Sequence, residues 1–297
     1  MNPVSLNLEN PIRDAISRIR FAPHSNNLLV SSWDSSLRLY DVDNSKLRMD
    51  TPGEAALLDC CFENEGCALL LLLMVQLTGQ IITAGWDKKI NFWDVRSTQS
   101  LGCLNSLVSE VESMSLSGLN LMVAAGSSVN IYDIRSFKTS VHTKGIKVKC
   151  IRPIFNPKGF VVGSIDGRVL LEYFCKSSSN EGYAFRCYPK VKDGRRHLVT
   201  VNDIAFNPSV IGSFITGDND GYATLWDARG RKRIFEMSRY PNSVVSLSYS
   251  HDGLLLAVAS SYSYQEANEI EEPPQIFIHE MGNCDLTSPS CGASNQK

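Results

Sequence analysis

One pattern recurs along the chain and restricts its fold more than any other feature. It consists of a run rich in residues that favour β-strands, a short turn of small residues with Asp or Gly, and a run of alternating apolar and polar residues that ends in an aromatic residue. Clear copies are LLVSSWDSSLRLYDV at residues 28–42, QIITAGWDKKINFWDV at 80–95 and SFITGDNDGYATLWDA at 213–228. Alternating runs on either side of such a turn predict a β-hairpin.

A further alternating strand precedes most of these hairpins, as in ISRIRFAPHSNN and VNDIAFNPSVIG. With one outer strand added, the unit has four strands and about 40 residues, which is typical of a blade in an all-β WD-repeat β-propeller. Six repeats can be recognised in the sequence. Their third strands end at Tyr40, Trp93, Tyr132, Tyr173, Trp226 and Phe277. The segment SLNLEN at residues 5–10 is a candidate for the strand that closes the last blade.

An unbroken apolar run, residues 67–75, interrupts this pattern between the first two repeats. The run is too short for a membrane-spanning helix, which needs about 20 apolar residues. The start of the chain has no basic-then-apolar layout of a secretory signal. We therefore expect a soluble intracellular protein.

Charge and motifs exclude several classes of function. The chain has 29 basic and 31 acidic residues, a net charge of −2, which argues against nucleic-acid binding. Its nine cysteines are irregularly spaced without a C-x-x-C pair, so we expect reduced thiols and no metal site. No phosphate-binding, hydrolase or zinc-protease motif occurs, so we predict no enzymatic activity, no small-molecule substrate and no cofactor.

Several segments outside the repeat pattern carry a family resemblance. SIDGRVLLEYF, GYAFRCYP, SRYPNSVVSLSYSHDG and PQIFIHEM, in this order, resemble the mitotic-checkpoint WD-repeat propellers, which have a paralogue in messenger-RNA export. The resemblance implies a seven-bladed propeller over residues 1–281, with the second blade truncated near 64–80. The last residues, 282–297, lack apolar periodicity and are predicted to be a disordered tail.

The apolar run stands at the truncated blade, and two explanations remain open. The chain is either a shortened product, for example of altered splicing, or a six-bladed ring in which the run is one fully buried strand.

The resemblance also implies a function, a non-enzymatic scaffold of the spindle-assembly checkpoint. Implied partners are a short peptide motif of a checkpoint kinase or kinase-like protein, a phosphorylated kinetochore scaffold and the mitotic checkpoint complex. Implied locations are the nucleus, the kinetochore in mitosis and the cytoplasm. Alternatives are messenger-RNA export at the nuclear pore, a ubiquitin-ligase adaptor, or a non-functional chain.

Five residues are candidates for these interactions. Matching the family's motifs makes Trp33 and Trp86 apolar contacts for the partner peptide and Arg168 the partner of a peptide carboxylate. Arg186 and Arg239 are candidates for phosphopeptide binding, because arginine favours phosphate. The competing interpretation is that the tryptophans pack between blades and the arginines are ordinary solvated charges.

Overall fold

Antiparallel β-sheets account for all the regular structure that the computed structural model describes. It describes residues 4–5, 11–64, 67–71, 74–77, 80–94, 100–104, 107–136, 139–154, 159–174, 182–187, 190–192, 195–197, 199–262 and 272–282. In these ranges no segment is helical, and none forms a helix that could cross a membrane. The predicted tail, apart from residue 282, lies outside the described residues.

The first part of the chain forms two full sheets and one short one. The strand β1 (Val4–Ser5) belongs to the last blade. Blade 1 contains β2 (Ile16–Phe21), β3 (Asn27–Ser32), β4 (Ser36–Asp41) and β5 (Lys46–Pro52). A two-stranded sheet, here the short sheet, contains β6 (Asp59–Asn64) and β7 (Cys67–Leu71). Blade 2 contains β8 (Met74–Leu77), β9 (Gln80–Ala84), β10 (Ile90–Asp94) and β11 (Ser100–Leu104).

The remainder supplies four more blades and a small hairpin. Blade 3 contains β12 (Val111–Ser117), β13 (Asn120–Ala125), β14 (Ser128–Asp133) and β15 (Thr139–Thr143). Blade 4 contains β16 (Val148–Ile154), β17 (Gly159–Ser164), β18 (Arg168–Tyr173) and β19 (Tyr183–Arg186). The hairpin contains β20 (Lys190–Lys192) and β21 (Arg195–His197). Blade 5 contains β22 (Val201–Phe206), β23 (Ser213–Asp218), β24 (Ala223–Asp227) and β25 (Lys232–Glu236). Blade 6 contains β26 (Val244–Tyr249), β27 (Leu255–Ser260) and β28 (Gln275–Glu280), completed by β1.

The sheets form a closed ring around a central channel. The innermost strands β2, β6, β8, β12, β16, β22 and β26 follow one another around the ring, and β26 lies against β2. Blade 6 is completed by the N-terminal strand, with Val4 opposite Ile278 and Ser5 opposite Phe277. A closing N-terminal strand was expected, but it lies at Val4–Ser5; residues 6–10 of the predicted segment are outside the described residues.

The apolar run does not form one strand. Its first part is β7, which pairs with β6, and its last part is β8, which pairs with β9 as the innermost strand of blade 2. The interpretation as one buried strand is therefore wrong, since the run contributes to two strands that belong to different sheets. Its nine residues also exceed the usual strand length of five to six. Six full blades are present in the described part of the chain, and the short sheet lies between blades 1 and 2. A seven-bladed ring is not confirmed.

The core lies between neighbouring blades and explains the pattern of the repeats. The second strand of each blade is sandwiched between sheets, so Leu28, Leu29 and Val30 of β3 are wholly buried. The aromatic residues that end two third strands, Tyr40 and Tyr132, are buried as well. The first blade packs on the last through one apolar cluster, which holds the ring closed.

Candidate functional site

The turns between second and third strands lie on one face of the ring, here called the top face. These turns are tied by backbone hydrogen bonds to residues at or just before the start of an innermost strand, β2 for the turn of Trp33 and β12 for the turn of Trp86. Trp33 N–H donates to the Ala15 carbonyl over 2.9 Å, and Val111 N–H donates to the Gly85 carbonyl over 3.3 Å. These bonds fix the positions of the turns that carry Trp33 and Trp86.

Both tryptophans line the same cavity, at the mouth of the central channel on the top face. The cavity has a volume of about 340 Å³. Trp33 is half-buried, whereas Trp86 is 64% exposed. The structure thus brings together the two residues that the sequence placed on one rim.

The turn of Trp33 is held by a buried carboxylate. Asp34 accepts hydrogen bonds from the Ser36 N–H over 3.1 Å and from the Arg38 guanidinium over 2.8 Å. Burial opposes ionisation of Asp34, but the bonds from Arg38 and the neighbouring serine hydroxyls outweigh it and hold the pKa well below its usual value. Ser35 adopts a left-handed backbone with φ of 64°, so the turn is tightly specified.

The turn of Trp86 is similar in backbone but less enclosed. Lys88 has φ of 63°, matching Ser35, and its N–H donates to the Gly85 carbonyl over 3.2 Å. Asp87 accepts from the Lys89 N–H over 3.2 Å at an exposed position. The indole of Trp86 is thus held out from a fixed backbone.

Arg168 lies on the top face but not in this cavity. It begins β18 directly opposite Arg186 on β19. Its Nε lies 3.0 Å from a carboxylate oxygen of Asp166, and a guanidinium nitrogen of Arg186 lies 3.8 Å from the same oxygen. Both arginine side chains are 42% exposed. The structure therefore groups Arg168 with Arg186 and not with the tryptophans.

Arg239 lies on the neighbouring blade of the same face. It is exposed in the loop that leads into β26, and its Nε donates to the Asp220 carbonyl over 2.9 Å. That carbonyl belongs to the turn between β23 and β24. The three candidate arginines thus occupy the top edges of blades 4 and 5.

The cavity also contains polar residues that the sequence did not single out. Lys149 and Glu112 line it, and their charged groups lie 4.0 Å apart. Glu112 also pairs with Lys147 over 2.9 Å. The only signal in the sequence is a charged residue at an alternating position of an innermost strand, which is the same as for any solvent-facing position.

Below the cavity, charged side chains cross the channel. Arg18, which lines the floor, lies 3.2 Å from Asp59 on β6 and 3.1 Å from Asp203 on β22. Arg152 on β16 also pairs with Asp203. Burial opposes ionisation of Asp203, but Arg152 and Arg18 outweigh it and lower its pKa. This network joins four innermost strands and ties the short sheet into the ring.

Comparisons with known proteins agree with the fold. The model of the WD domain, G-beta repeat matches residues 7–41. The solved structure of U3-55K has a TM-score of 0.79 and covers 94% of this chain and 98% of its own, at 14% identity, so the likeness concerns the fold alone.

No group of three metal-binding side chains is found in the part of the chain that the structure describes.

Two plant proteins are similar over nearly the whole chain. Mitotic checkpoint protein BUB3.3 of Arabidopsis thaliana is 42% identical over 309 aligned positions, covering 93% of this chain and 98% of the relative. Mitotic checkpoint protein BUB3.1 of Arabidopsis thaliana is 36% identical, covering 94% and 93%. The 309 positions exceed the 297 residues of the chain, so BUB3.3 has residues opposite gaps in this sequence. The chain belongs to the BUB3 family of WD-repeat mitotic checkpoint proteins.

Proposed function

We propose that this protein is a non-enzymatic scaffold of the spindle-assembly checkpoint whose top face binds a short peptide of a checkpoint kinase or kinase-like partner. The observation that carries the proposal is the placement of Trp33 and Trp86 at one cavity on one face. Rigid rings that hold loops at a rim are suited to peptide binding. The checkpoint role itself is supported by the names of the relatives.

The exposed surface of Trp86 allows its contribution to the binding free energy to be estimated. A buried tryptophan covers about 150–250 Å², and here nearly two thirds of the side chain remains exposed. At about 25 cal/mol per Å², covering that surface would contribute about 2–4 kcal/mol to binding. This is the range of residues that dominate protein interfaces, where tryptophan is enriched.

The charged groups around the cavity would orient the peptide. Lys149 and Glu112 stand at its wall, and Arg18 lies at its floor. The side chain of Lys149 is 30% exposed and lies 4.0 Å from Glu112, which pairs more closely with Lys147, so the ammonium of Lys149 remains available to a further anionic group. An acidic residue flanking the apolar part of the peptide would complement it.

Docking at kinetochores would use the arginines at the edges of blades 4 and 5. We include Arg168 here and not, as the sequence suggested, in the kinase-type peptide site, because it does not line the cavity of Trp33 and Trp86. Arg168 and Arg186 share the single carboxylate of Asp166, which leaves one positive charge uncompensated. Arg239 is exposed at the edge of blade 5, the blade that follows them in the chain. Guanidinium groups bind phosphate through charge-assisted hydrogen bonds. We propose that a phosphorylated segment of a kinetochore scaffold binds here during mitosis.

Calorimetry with the kinase-type peptide tests the proposal. We expect Trp86→Ala to weaken binding by about 30-fold, corresponding to about 2 kcal/mol, without a change in melting temperature. Ile211→Ala is a matched control, since this residue is 67% exposed in the turn between β22 and β23 at the opposite face. Absence of binding by the folded wild-type chain would remove the proposal.

The arginines require a separate measurement. Arg168→Glu and Arg239→Glu should abolish binding of the phosphorylated peptide and leave the kinase-type peptide unaffected, because the two sets of residues do not share a cavity. Strong salt-dependent RNA binding by the wild type would instead favour the role in messenger-RNA export.

A further inference from the structure

The opposite end of the channel, here called the lower mouth, is a second cavity with no assigned role. It has a volume of about 520 Å³, within the range of small-molecule sites. The ends of five innermost strands and the turns that follow them form its wall. Much of that wall is aromatic or proline. These residues are Phe21, Pro23, Pro153, Phe206, Pro208 and Tyr249.

Apart from Tyr249, whose phenol is neutral at pH 7, the ionisable residues of the lower mouth are all basic. Arg20, Arg152 and His251 line it, and no Asp or Glu is found among its described lining residues. The side chain of Arg20 is 35% exposed, and its guanidinium nitrogen is 4.0 Å from Asp59, a distance too long for a hydrogen bond. The Nε of Arg20 is buried and has no hydrogen-bond partner among the residues that the structure describes.

The buried charges next to this cavity do not balance. Arg18 and Arg152 share Asp203, Arg18 also pairs with Asp59, and Arg20 is left with the remote contact to Asp59. Three guanidinium groups therefore face two carboxylates. Burial lowers the pKa of Arg152, Asp203 opposes this, and the charges of Arg18 and Arg20 lower it further. The surplus positive charge lies at the end where Arg20 meets solvent.

We propose that the lower mouth is a binding site for an anionic group, a carboxylate or phosphate, carried on a small aromatic or apolar body. Arg20 would pair with the anion, and the ring of Phe21, Phe206 and Tyr249 would contact the body. A partly exposed guanidinium that forms no close ion pair, at the edge of an apolar wall, offers both the charge and the apolar surface that such a ligand needs.

Calorimetry or ligand-detected NMR on the full chain tests this with three probes: phenyl phosphate, benzoate and uncharged benzyl alcohol. We expect saturable binding of at least one of the two anions and none of benzyl alcohol. Comparison of the two anions distinguishes phosphate from carboxylate. Arg20→Gln should weaken binding about tenfold or more, the usual effect of losing a hydrogen bond to a charged group.

Two variants serve as controls. Arg233→Gln removes a guanidinium that is 55% exposed on β25, outside this cavity, and should leave binding unchanged. Trp86→Ala should also leave it unchanged, because Trp86 belongs to the top face. If Arg20→Gln does not fold, the guanidinium resonance of Arg20 in the ¹⁵N-labelled wild type should shift on titration. No saturable binding of either anion by the folded wild type, or equal binding by a folded Arg20→Gln, would overturn the proposal.

Discussion

Replacing Asp203 by Asn should destabilise the ring more than any other single charge removal at the channel. Asp203 is wholly buried and accepts bonds from Arg18 over 3.1 Å and from the Leu247 N–H over 3.0 Å, besides its pair with Arg152. The neutral amide leaves two buried guanidinium groups without their shared carboxylate. Breaking a buried ion pair in this way costs about 3–5 kcal/mol.

A matched control separates burial from charge. Asp133 pairs with Arg135 over 2.7 Å, but the arginine side chain is 67% exposed, so Asp133→Asn should cost less than about 1 kcal/mol. Urea unfolding followed by tryptophan fluorescence gives the free energy of unfolding for both variants. Equal losses in the two variants would refute the argument that the channel network holds the innermost strands together.

Two further outcomes follow from the structure. Burial lowers the pKa of His279 to about 4, so the free energy of unfolding should fall by about 3 kcal/mol as pH drops from about 6.5 to 4. His279→Phe should flatten that part of the curve of stability against pH. An unchanged slope in this variant would show that His279 is not the group responsible. Gly217→Ala would place a Cβ in a steric clash with a methyl carbon of the stiff Val244 side chain. It should therefore lower the free energy of unfolding, measured in urea, by about 1–3 kcal/mol. Adding Val244→Ala should partly reverse this loss.

The blades could be predicted because their signals are local. Alternation, tight turns and the aromatic ends of the third strands lie within about 15 residues of one another, and tertiary packing reinforces each of them. The common rim of Trp33 and Trp86 followed from equivalent positions in two hairpins. Both predictions required only the spacing of equivalent residues within the repeat.

Other features depended on information that the sequence does not carry locally. The division of the apolar run into β7 and β8 has no Gly, Pro, Asn or Asp to mark it between residues 67 and 75. The pairing of Arg168 with Arg186 joins strands separated by a long insertion, so no spacing rule could predict it. In the innermost strands, residues that face the channel alternate with buried residues, in the same pattern as residues that face solvent. The ion pair between Arg18 and Asp203 could therefore be recognised only in the structure, where the innermost strands surround the channel.

The pairing of Val4 with Ile278 has a consequence for biosynthesis. At about 5–20 residues per second, a ribosome needs roughly 15–55 s to make the chain between these two partners. Throughout that time Val4 and Ser5 have no strand to join, because the sheet they complete lacks β28. The nascent propeller is therefore an open arc during this interval, and the synthesis of β28 allows the ring to close.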